Sequence, residues 1–147
     1  DRRGATLAMD VDPADAFRVD GDAGALEQVF VNLLANAAHA VGAGGQTHVT
    51  IERLAAGITT RIRDTGCGMT AATLERVSTP FHSSKRDGTG LGLKIARKIV
   101  HAHGGTLEMV SEPGVGTCVT VILREYLGMR VEPMAGVVSE QRDGVAI

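Results

Sequence analysis

Residues 57–69 read GITTRIRDTGCGM, a predicted strand followed by a glycine-rich turn. Ile58 and Ile62 share one face of a predicted strand, because successive side chains alternate across a strand. Arg61 and Arg63 point to the opposite face of the strand. The same period of two puts Asp64 on the face of the isoleucines. The strand is therefore predicted to end in a carboxylate that faces the interior.

The longest predicted helix lies before this stretch, at residues 23–41. Its apolar side chains recur at close to helical spacing. Asp22 is suited to cap the first turn, and the glycine-rich run at 42–45 is suited to end the helix. The apolar stripe consists of Leu26, Val29, Phe30, Leu33, Ala37 and Ala40.

The rest of the chain is predicted to form short strands, one long loop and a second helix. The order of elements predicts an α+β fold, a two-layer α/β sandwich whose helices cover one face of a mixed, mostly antiparallel sheet. We place the domain at residues 1–124 and interpret residues 125–147 as a C-terminal tail or linker remnant. The remaining elements are strands at 5–11, 17–20, 48–54, 105–111 and 116–124, a loop at 65–90 with a helical stretch near 71–77, and a helix at 91–103.

Composition narrows the class of protein. Hydrophobic residues make up 44% of 147 residues, with Trp 0, Tyr 1 and Phe 3, so we expect one globular domain with an aliphatic core. The formal net charge of -2 gives no reason to expect nucleic acid or an anionic membrane as a partner. Two cysteines fit a reducing cytosol. The chain starts at Asp1 rather than Met. We therefore expect a monomeric, cytoplasmic fragment, whose parent protein is free to be membrane-anchored.

The first candidate motif lies on the long helix. Asn32, Asn36 and His39 fall at positions i, i+4 and i+7, which makes one stripe beside the apolar face. Asparagine is a poor helix former, so a mid-helix pair invites an explanation. The functional interpretation is that the amide oxygens of Asn36 and Asn32 bind Mg²⁺, which prefers oxygen ligands. The alternative is that both amides are merely solvated.

The second motif follows the inward carboxylate. Asp64 is suited to accept a hydrogen bond from the exocyclic amine of a purine. Gly66 and Gly68 would let the backbone approach the base or sugar closely. The alternative is an ordinary Asp-Gly turn after a strand.

The third motif is residues 88–93, which read GTGLGL and lead into the second helix. Free N–H groups at a helix N-terminus make a phosphate site, whereas a flexible hinge is the alternative. The run fits neither the P-loop nor the dinucleotide fingerprint, because no Gly-Lys-Ser/Thr follows it and no strand immediately precedes it. Just upstream, Lys85 and Arg86 could neutralise phosphate charge, or could be solvated loop cations.

Taken together, these motifs resemble the ATPase superfamily of DNA gyrase, the Hsp-type chaperones, the MutL proteins and the histidine kinases. The resemblance covers about residues 5–124, and its predicted fold is the Bergerat-type ATP-binding fold. Asn32 and Asn36 resemble the asparagine box, 64–68 the first glycine box, 81–85 the phenylalanine box, 88–93 the second glycine box, and 114–117 the last glycine turn.

Residue 32 decides the branch of the superfamily. The hydrolases and serine kinases carry a Glu four residues before the metal asparagine, where it acts as a general base. Asn32 cannot do so, and this chain resembles the histidine kinases, specifically the nitrogen-regulator type. Two alternatives stay open: a stand-alone ATPase or serine-kinase switch, which Asn32 disfavours, and a degenerate module that binds nucleotide only to change shape.

The resemblance implies ligands and partners. ATP would lie between the long helix and the loop, with Mg²⁺ joining its phosphates to the asparagines, and Asp64 would contact the adenine amine. The γ-phosphoryl group would pass to a histidine on the dimerisation domain of the same parent protein, and then indirectly to a response regulator. Catalytic roles fall to Asn32, Asn36 and Lys85. The implied nucleotide-binding residues are Asn32, Asn36, His39, Asp64, Gly66, Gly68, Lys85, Arg86, Gly88, Thr89, Gly90, Leu91, Gly92, Leu93 and Thr117.

The five histidines give no acceptor in this chain, since none lies in a helical His-Glu or His-Asp motif upstream of the domain. His39 stands where some members of the superfamily have Lys. His101 and His103 are two residues apart, and such residues do not face each other on a helix. We interpret them as a solvated helix end.

Overall fold

A computed structural model of the protein describes residues 4–11, 16–79 and 89–128. In this part of the chain, five strands and three helices form the predicted α+β fold. In chain order they are β1 (Thr6–Asp10), α1 (Ala23–Val41), β2 (Gln46–Leu54), β3 (Gly57–Asp64), α2 (Ala71–Ser78), α3 (Thr89–Ala102), β4 (Thr106–Glu112) and β5 (Gly116–Leu123).

The five strands form one mixed sheet in the order β1-β2-β3-β5-β4. β1 runs parallel to β2, and every other neighbouring pair is antiparallel. β3, the strand that ends in the inward carboxylate, is therefore central. The predicted mixed, mostly antiparallel sheet is confirmed.

The core is aliphatic, as the composition predicts. α1 and α3 pack against each other, with α1 over β2, β3 and β5 in the middle of the sheet and α3 against the edge strand β4. Val29 and Val100, one from each helix, are completely buried, and burial of such a side chain is worth about 1.5–3 kcal/mol. The buried core consists of Leu26, Val29, Leu33, Ala37, Val49, Ile62, Leu93, Ala96, Val100, Val119, Val121 and Leu123.

The long helix starts and stops as its sequence predicts. The Asp22 carboxylate accepts a hydrogen bond from the Ala25 N–H at 2.7 Å, which satisfies one of the free donors of the first turn. Gly42 ends α1 with a positive φ of 59°, which favours glycine. None of the described helices is long and apolar enough to cross a membrane.

The strand predicted at 17–20 is wrong. Val19 forms only a single bridge with Glu125. At this bridge the Tyr126 N–H donates to the Arg18 carbonyl oxygen at 2.8 Å. Side chains add two contacts: the Arg53 Nε donates to Glu125 at 2.8 Å, and the Arg53 guanidinium lies 5.5 Å from the ring centre of Phe17. Because the backbone pairing is limited to this one bridge, the segment does not join the sheet as a strand.

The interpretation of His103 as solvated is also wrong. Its ring is half-buried between the end of α3 and the start of α1. Nδ1 lies 2.7 Å from the Ile99 carbonyl oxygen, and Nε2 accepts the backbone N–H of Asp22 at 3.1 Å. His101 is exposed, as predicted. Thus one imidazole connects the two helices that cover the sheet.

Candidate functional site

One end of the sheet is polar on the face that the helices cover. Asp64 is paired with Thr47 on one side and Thr117 on the other, and Thr117 is paired with Ser111. Thr47 and Asp64 are each only 6% exposed. The neighbouring row on the same face is apolar and consists of Val49, Ile62, Val119 and Met109. The change from apolar to polar side chains marks this end of the sheet as a candidate site.

Asp64 is fixed by two backbone donors. Its Oδ1 accepts the N–H of Gly66 at 2.9 Å and the N–H of Thr117 at 3.2 Å. The Asp-Gly turn considered from the sequence is therefore present, together with a bond to the next strand. Because both donors use Oδ1, the second carboxylate oxygen is left as the acceptor for a ligand.

The two glycines after Asp64 allow close backbone contacts, as their pattern indicates. A Cβ at Gly66 would lie 2.6 Å from the Ala40 carbonyl oxygen, so the end of α1 packs directly on this turn. Gly68 has φ of 65°, and a Cβ there would lie 1.9 Å from the Glu112 carbonyl oxygen. Only glycine fits at either position, which ties the turn to both α1 and the β4–β5 hairpin.

The asparagine stripe lies at the rim of the core, opposite the start of α3. Asn32 and Asn36 are half-buried, whereas His39 is exposed. The Asn32 Nδ2 donates to the Gly92 carbonyl oxygen at 3.3 Å, which joins two motifs that are 60 residues apart in the sequence. A Cβ at Gly92 would lie 3.6 Å from the Asn32 side chain. The structure therefore brings the first and third predicted motifs together.

The glycine-rich run enters α3 earlier than predicted, because the helix begins at Thr89 rather than at residue 91. The N–H groups of its first four residues have no partner inside the helix, as in every α-helix. The Leu91 side chain is 68% exposed, but that of Leu93 is 4% exposed and belongs to the core. This run thus offers backbone donors and one exposed apolar side chain beside the asparagines.

Several predicted site residues lie outside the described residues. These are Lys85, Arg86 and Gly88, together with the whole stretch at 81–85 that resembles the phenylalanine box.

Two polar residues of the site were not predicted from the sequence, namely Thr47 and Ser111. A signal for Ser111 was available in the hairpin. The turn at residues 113–115 pairs Glu112 with Gly116, and that register puts Ser111 opposite Thr117. The β2–β3 hairpin gives the same kind of signal for Thr47, because the two-residue turn at 55–56 pairs Leu54 with Gly57 and that register puts Thr47 opposite Asp64.

Comparison with known proteins identifies a family. Residues 21–127 match the family described as histidine kinase-, DNA gyrase B- and HSP90-like ATPase. Sensor histidine kinase ZraS of Klebsiella oxytoca is 40% identical over 122 residues, which is 82% of this chain and 26% of that protein. C4-dicarboxylate transport sensor protein DctB of Rhizobium meliloti is 43% identical over 115 residues, 77% of this chain and 18% of that protein. The chain therefore spans about a quarter or less of these relatives.

Solved structures give the same result. The mycobacterial sensor histidine kinase MprB superposes with a TM-score of 0.71 at 29% identity, over 84% of both chains. Full-length ShkA in complex with AMPPNP superposes with a TM-score of 0.70 at 27% identity, over 84% of this chain and 26% of that one.

Proposed function

This chain belongs to the histidine kinase-, DNA gyrase B- and HSP90-like ATPase family, and we propose that it is the ATP-binding catalytic domain of a sensor histidine kinase. It would bind Mg²⁺–ATP and present the γ-phosphoryl group to a histidine on a separate dimerisation domain of its parent protein. A response regulator would then receive the phosphoryl group from that histidine. A relative and a solved structure that are named sensor histidine kinases, ZraS and MprB, support this branch of the family.

The contact between Asn32 and Gly92 carries the proposal. It brings the asparagines of α1 to the start of α3, where free N–H groups and the positive end of the helix dipole favour phosphate. The Asp64 carboxylate lies at the end of β3, next to the turn at Gly66 against which Ala40 of α1 packs. Purine and phosphate groups of one nucleotide could therefore be bound along α1.

The side chain at position 32 supports phosphotransfer rather than hydrolysis. An amide cannot take a proton from a water, whereas a Glu could. The chain's contribution to phosphotransfer would be to position the nucleotide and to stabilise its charge. Asp64 would select the base, and the backbone N–H groups of Gly90 and Gly92 would hold phosphate oxygens. We propose that Lys85 adds a positive charge to the phosphate site, and that Arg86, Gly88 and His39 also serve to bind the nucleotide.

The described side chains fit a magnesium ion that is held mainly by the nucleotide. Within residues 4–11, 16–79 and 89–128, no group of three or more His, Cys, Asp or Glu could hold a metal. Asn32 uses its amide N–H groups toward Gly92, so its Oδ1 remains an available oxygen beside Asn36. Mg²⁺ takes oxygen ligands and relies on substrate phosphates rather than on an all-protein cage. When bound, the ion would neutralise phosphate charge.

Phosphotransfer to an added dimerisation domain, assayed beside hydrolysis, tests the proposal. The parent's dimerisation domain would be mixed with this chain and γ-labelled ATP, and the control domain would carry Ala in place of the acceptor histidine. We expect label on the first domain only, and little free phosphate. Rapid release of phosphate without labelling would favour a stand-alone ATPase, and binding without either activity would favour a degenerate module.

A further inference from the structure

The Thr47 hydroxyl is buried beside Asp64 and has no hydrogen-bond partner. Thr47 of β2 is paired with Asp64 of β3, so the two side chains lie on the same face, with Cβ atoms about 4.5–5.5 Å apart. Thr47 is only 6% exposed. Within residues 4–11, 16–79 and 89–128, its Oγ1 makes no hydrogen bond. Because buried polar groups are nearly always hydrogen-bonded, this hydroxyl requires an explanation.

The other hydroxyls around Asp64 are occupied within the protein. Oγ1 of Thr65 accepts a backbone N–H of β2 at 3.0 Å. The hydroxyls of Ser111 and Thr117 are 2.8 Å apart, and both are engaged whichever of them donates. Among the hydroxyls next to Asp64 in the described part of the chain, that of Thr47 alone therefore has both its proton and its lone pairs available.

The Thr47 oxygen is also open to a ligand. Among the residues that the structure describes, every fully enclosed polar side-chain atom has a hydrogen-bond partner. Because Oγ1 of Thr47 has none, it is not fully enclosed. Oδ2 of Asp64 has no partner either, since both bonds to this carboxylate use Oδ1. A free hydroxyl and a free carboxylate oxygen therefore lie side by side.

These two groups complement one kind of ligand edge. A carboxylate oxygen only accepts, whereas a hydroxyl that has no other acceptor can donate its proton. An amine next to an unprotonated ring nitrogen offers the matching donor and acceptor. In a 6-aminopurine, N1 and N7 both flank the amine in this way. The amine would donate to Oδ2 of Asp64, and one of the two ring nitrogens would accept from Thr47.

We propose that Thr47 is a further binding residue of the site, and that its hydroxyl donates to a ring nitrogen beside the amine that Asp64 binds. The inference rests on the proposed binding of ATP. It also explains why a hydroxyl lies at this buried position. A Val would have nearly the same shape and would leave no polar group unpaired in the ligand-free protein.

Thr47→Val removes the hydroxyl and keeps the shape of the side chain. In calorimetry with Mg²⁺ and the whole chain, the affinity for ATP should fall about tenfold, the equivalent of one hydrogen bond. The affinity for inorganic triphosphate should not change, because that ligand has no base. The Tm without ligand should stay the same or rise, since an unpaired hydroxyl is lost. Thr47→Ser is the matched control, because it keeps the hydroxyl and should keep most of the affinity for ATP.

Two analogues identify the ring nitrogen. In 1-deaza-ATP and 7-deaza-ATP, one of the two flanking nitrogens is replaced by a C–H group. Thr47→Val should weaken the binding of one analogue and not of the other, because in the second complex the hydrogen bond is already missing. A tenfold loss with both analogues would show that the hydroxyl does not bind a ring nitrogen, and the proposal would be wrong.

Two further outcomes would overturn the role of Thr47. The first is an unchanged affinity of Thr47→Val for ATP. The second is an equal loss for ATP and inorganic triphosphate, which would mean that the hydroxyl serves the fold. If the unaltered chain does not bind ATP, it is the proposed function that fails.

Discussion

At the scale of single residues, the two carboxylate oxygens of Asp64 have different roles: Oδ1 accepts backbone N–H groups, and Oδ2 is proposed to accept from the ligand. Asp64→Asn can keep the carbonyl oxygen on the N–H groups of Gly66 and Thr117, but it puts an NH₂ where Oδ2 stands. We expect adenine nucleotides to bind more weakly by about 1–3 kcal/mol, because a charge-assisted hydrogen bond to the amine is lost. Calorimetry with ATP and with inorganic triphosphate gives the measurement. Equal losses for both ligands would mean that Asp64 is only structural.

Asn32→Glu tests the choice between kinase and hydrolase. The carboxylate would lie near the start of α3, where the helix dipole favours a negative charge, and it would supply the missing base. We expect a small rise in ATP hydrolysis and impaired phosphotransfer to the dimerisation domain. The rise should be small because the attacking water must also be positioned.

Asn32→Gln is the matched control for this change, since it has the length of Glu without the basic group. It should not raise hydrolysis. If the Glu variant leaves both activities as they were, residue 32 does not face the nucleotide, and the reason for choosing the kinase branch is lost.

At the scale of elements, His103 connects the last turn of α3 to the first turn of α1. His103→Ala removes the acceptor for the Asp22 N–H and a side chain that packs against Gly21, where a Cβ would lie 2.4 Å from the ring. We expect the free energy of unfolding in urea to fall by about 0.5–1.5 kcal/mol, the net worth of one hydrogen bond, because water can take the place of the imidazole at the exposed Asp22 N–H. His101→Ala, on the exposed side of the same helix, should change it by less than about 0.5 kcal/mol. Similar losses in both variants would contradict this role.

The predictions from sequence succeed where one element decides the outcome by itself. The bounds of α1 follow from Asp22 and Gly42, and the inward direction of Asp64 follows from alternation within β3. The predictions from sequence fail where the two residues in contact are distant along the chain. The bond between Asp22 and His103 joins residues 81 positions apart, and no local pattern records it. The same holds for the segment at 17–20, whose contacts with Arg53, Glu125 and Tyr126 join residues that are distant in the sequence.

At the scale of the whole molecule, the site results from how distant segments are brought together. The sequence predicts each motif, but their convergence depends on the packing of α1 against α3 and on the order β2-β3-β5 in the sheet. Thr47 and Ser111 entered the site through strand pairing alone. The roles of Lys85 and Arg86 stay predictions, as does the domain boundary at 124.

Because the proposed ligand contacts come from both layers of the fold, binding should stabilise the whole domain. At a nucleotide concentration of about 100 times Kd, linkage adds about 2.7 kcal/mol to the free energy of unfolding. For a domain of this size that corresponds to a rise in Tm of roughly 5–10 °C. We expect this rise in calorimetric scans with ATP or ADP in the presence of Mg²⁺.

Asn36→Ala tests whether the rise in Tm depends on a metal ligand on α1. It should leave the Tm without ligand unchanged or slightly higher, because Ala is the better helix former by up to about 0.7 kcal/mol. It should abolish the part of the nucleotide-induced rise that depends on Mg²⁺, because a metal ligand on α1 is lost. The unaltered chain should meanwhile turn over little ATP, since Asn32 supplies no base and no acceptor histidine is predicted in this chain. Robust steady-state hydrolysis, or a full Mg²⁺-dependent rise in Asn36→Ala, would show that the asparagines of α1 do not serve the nucleotide as proposed.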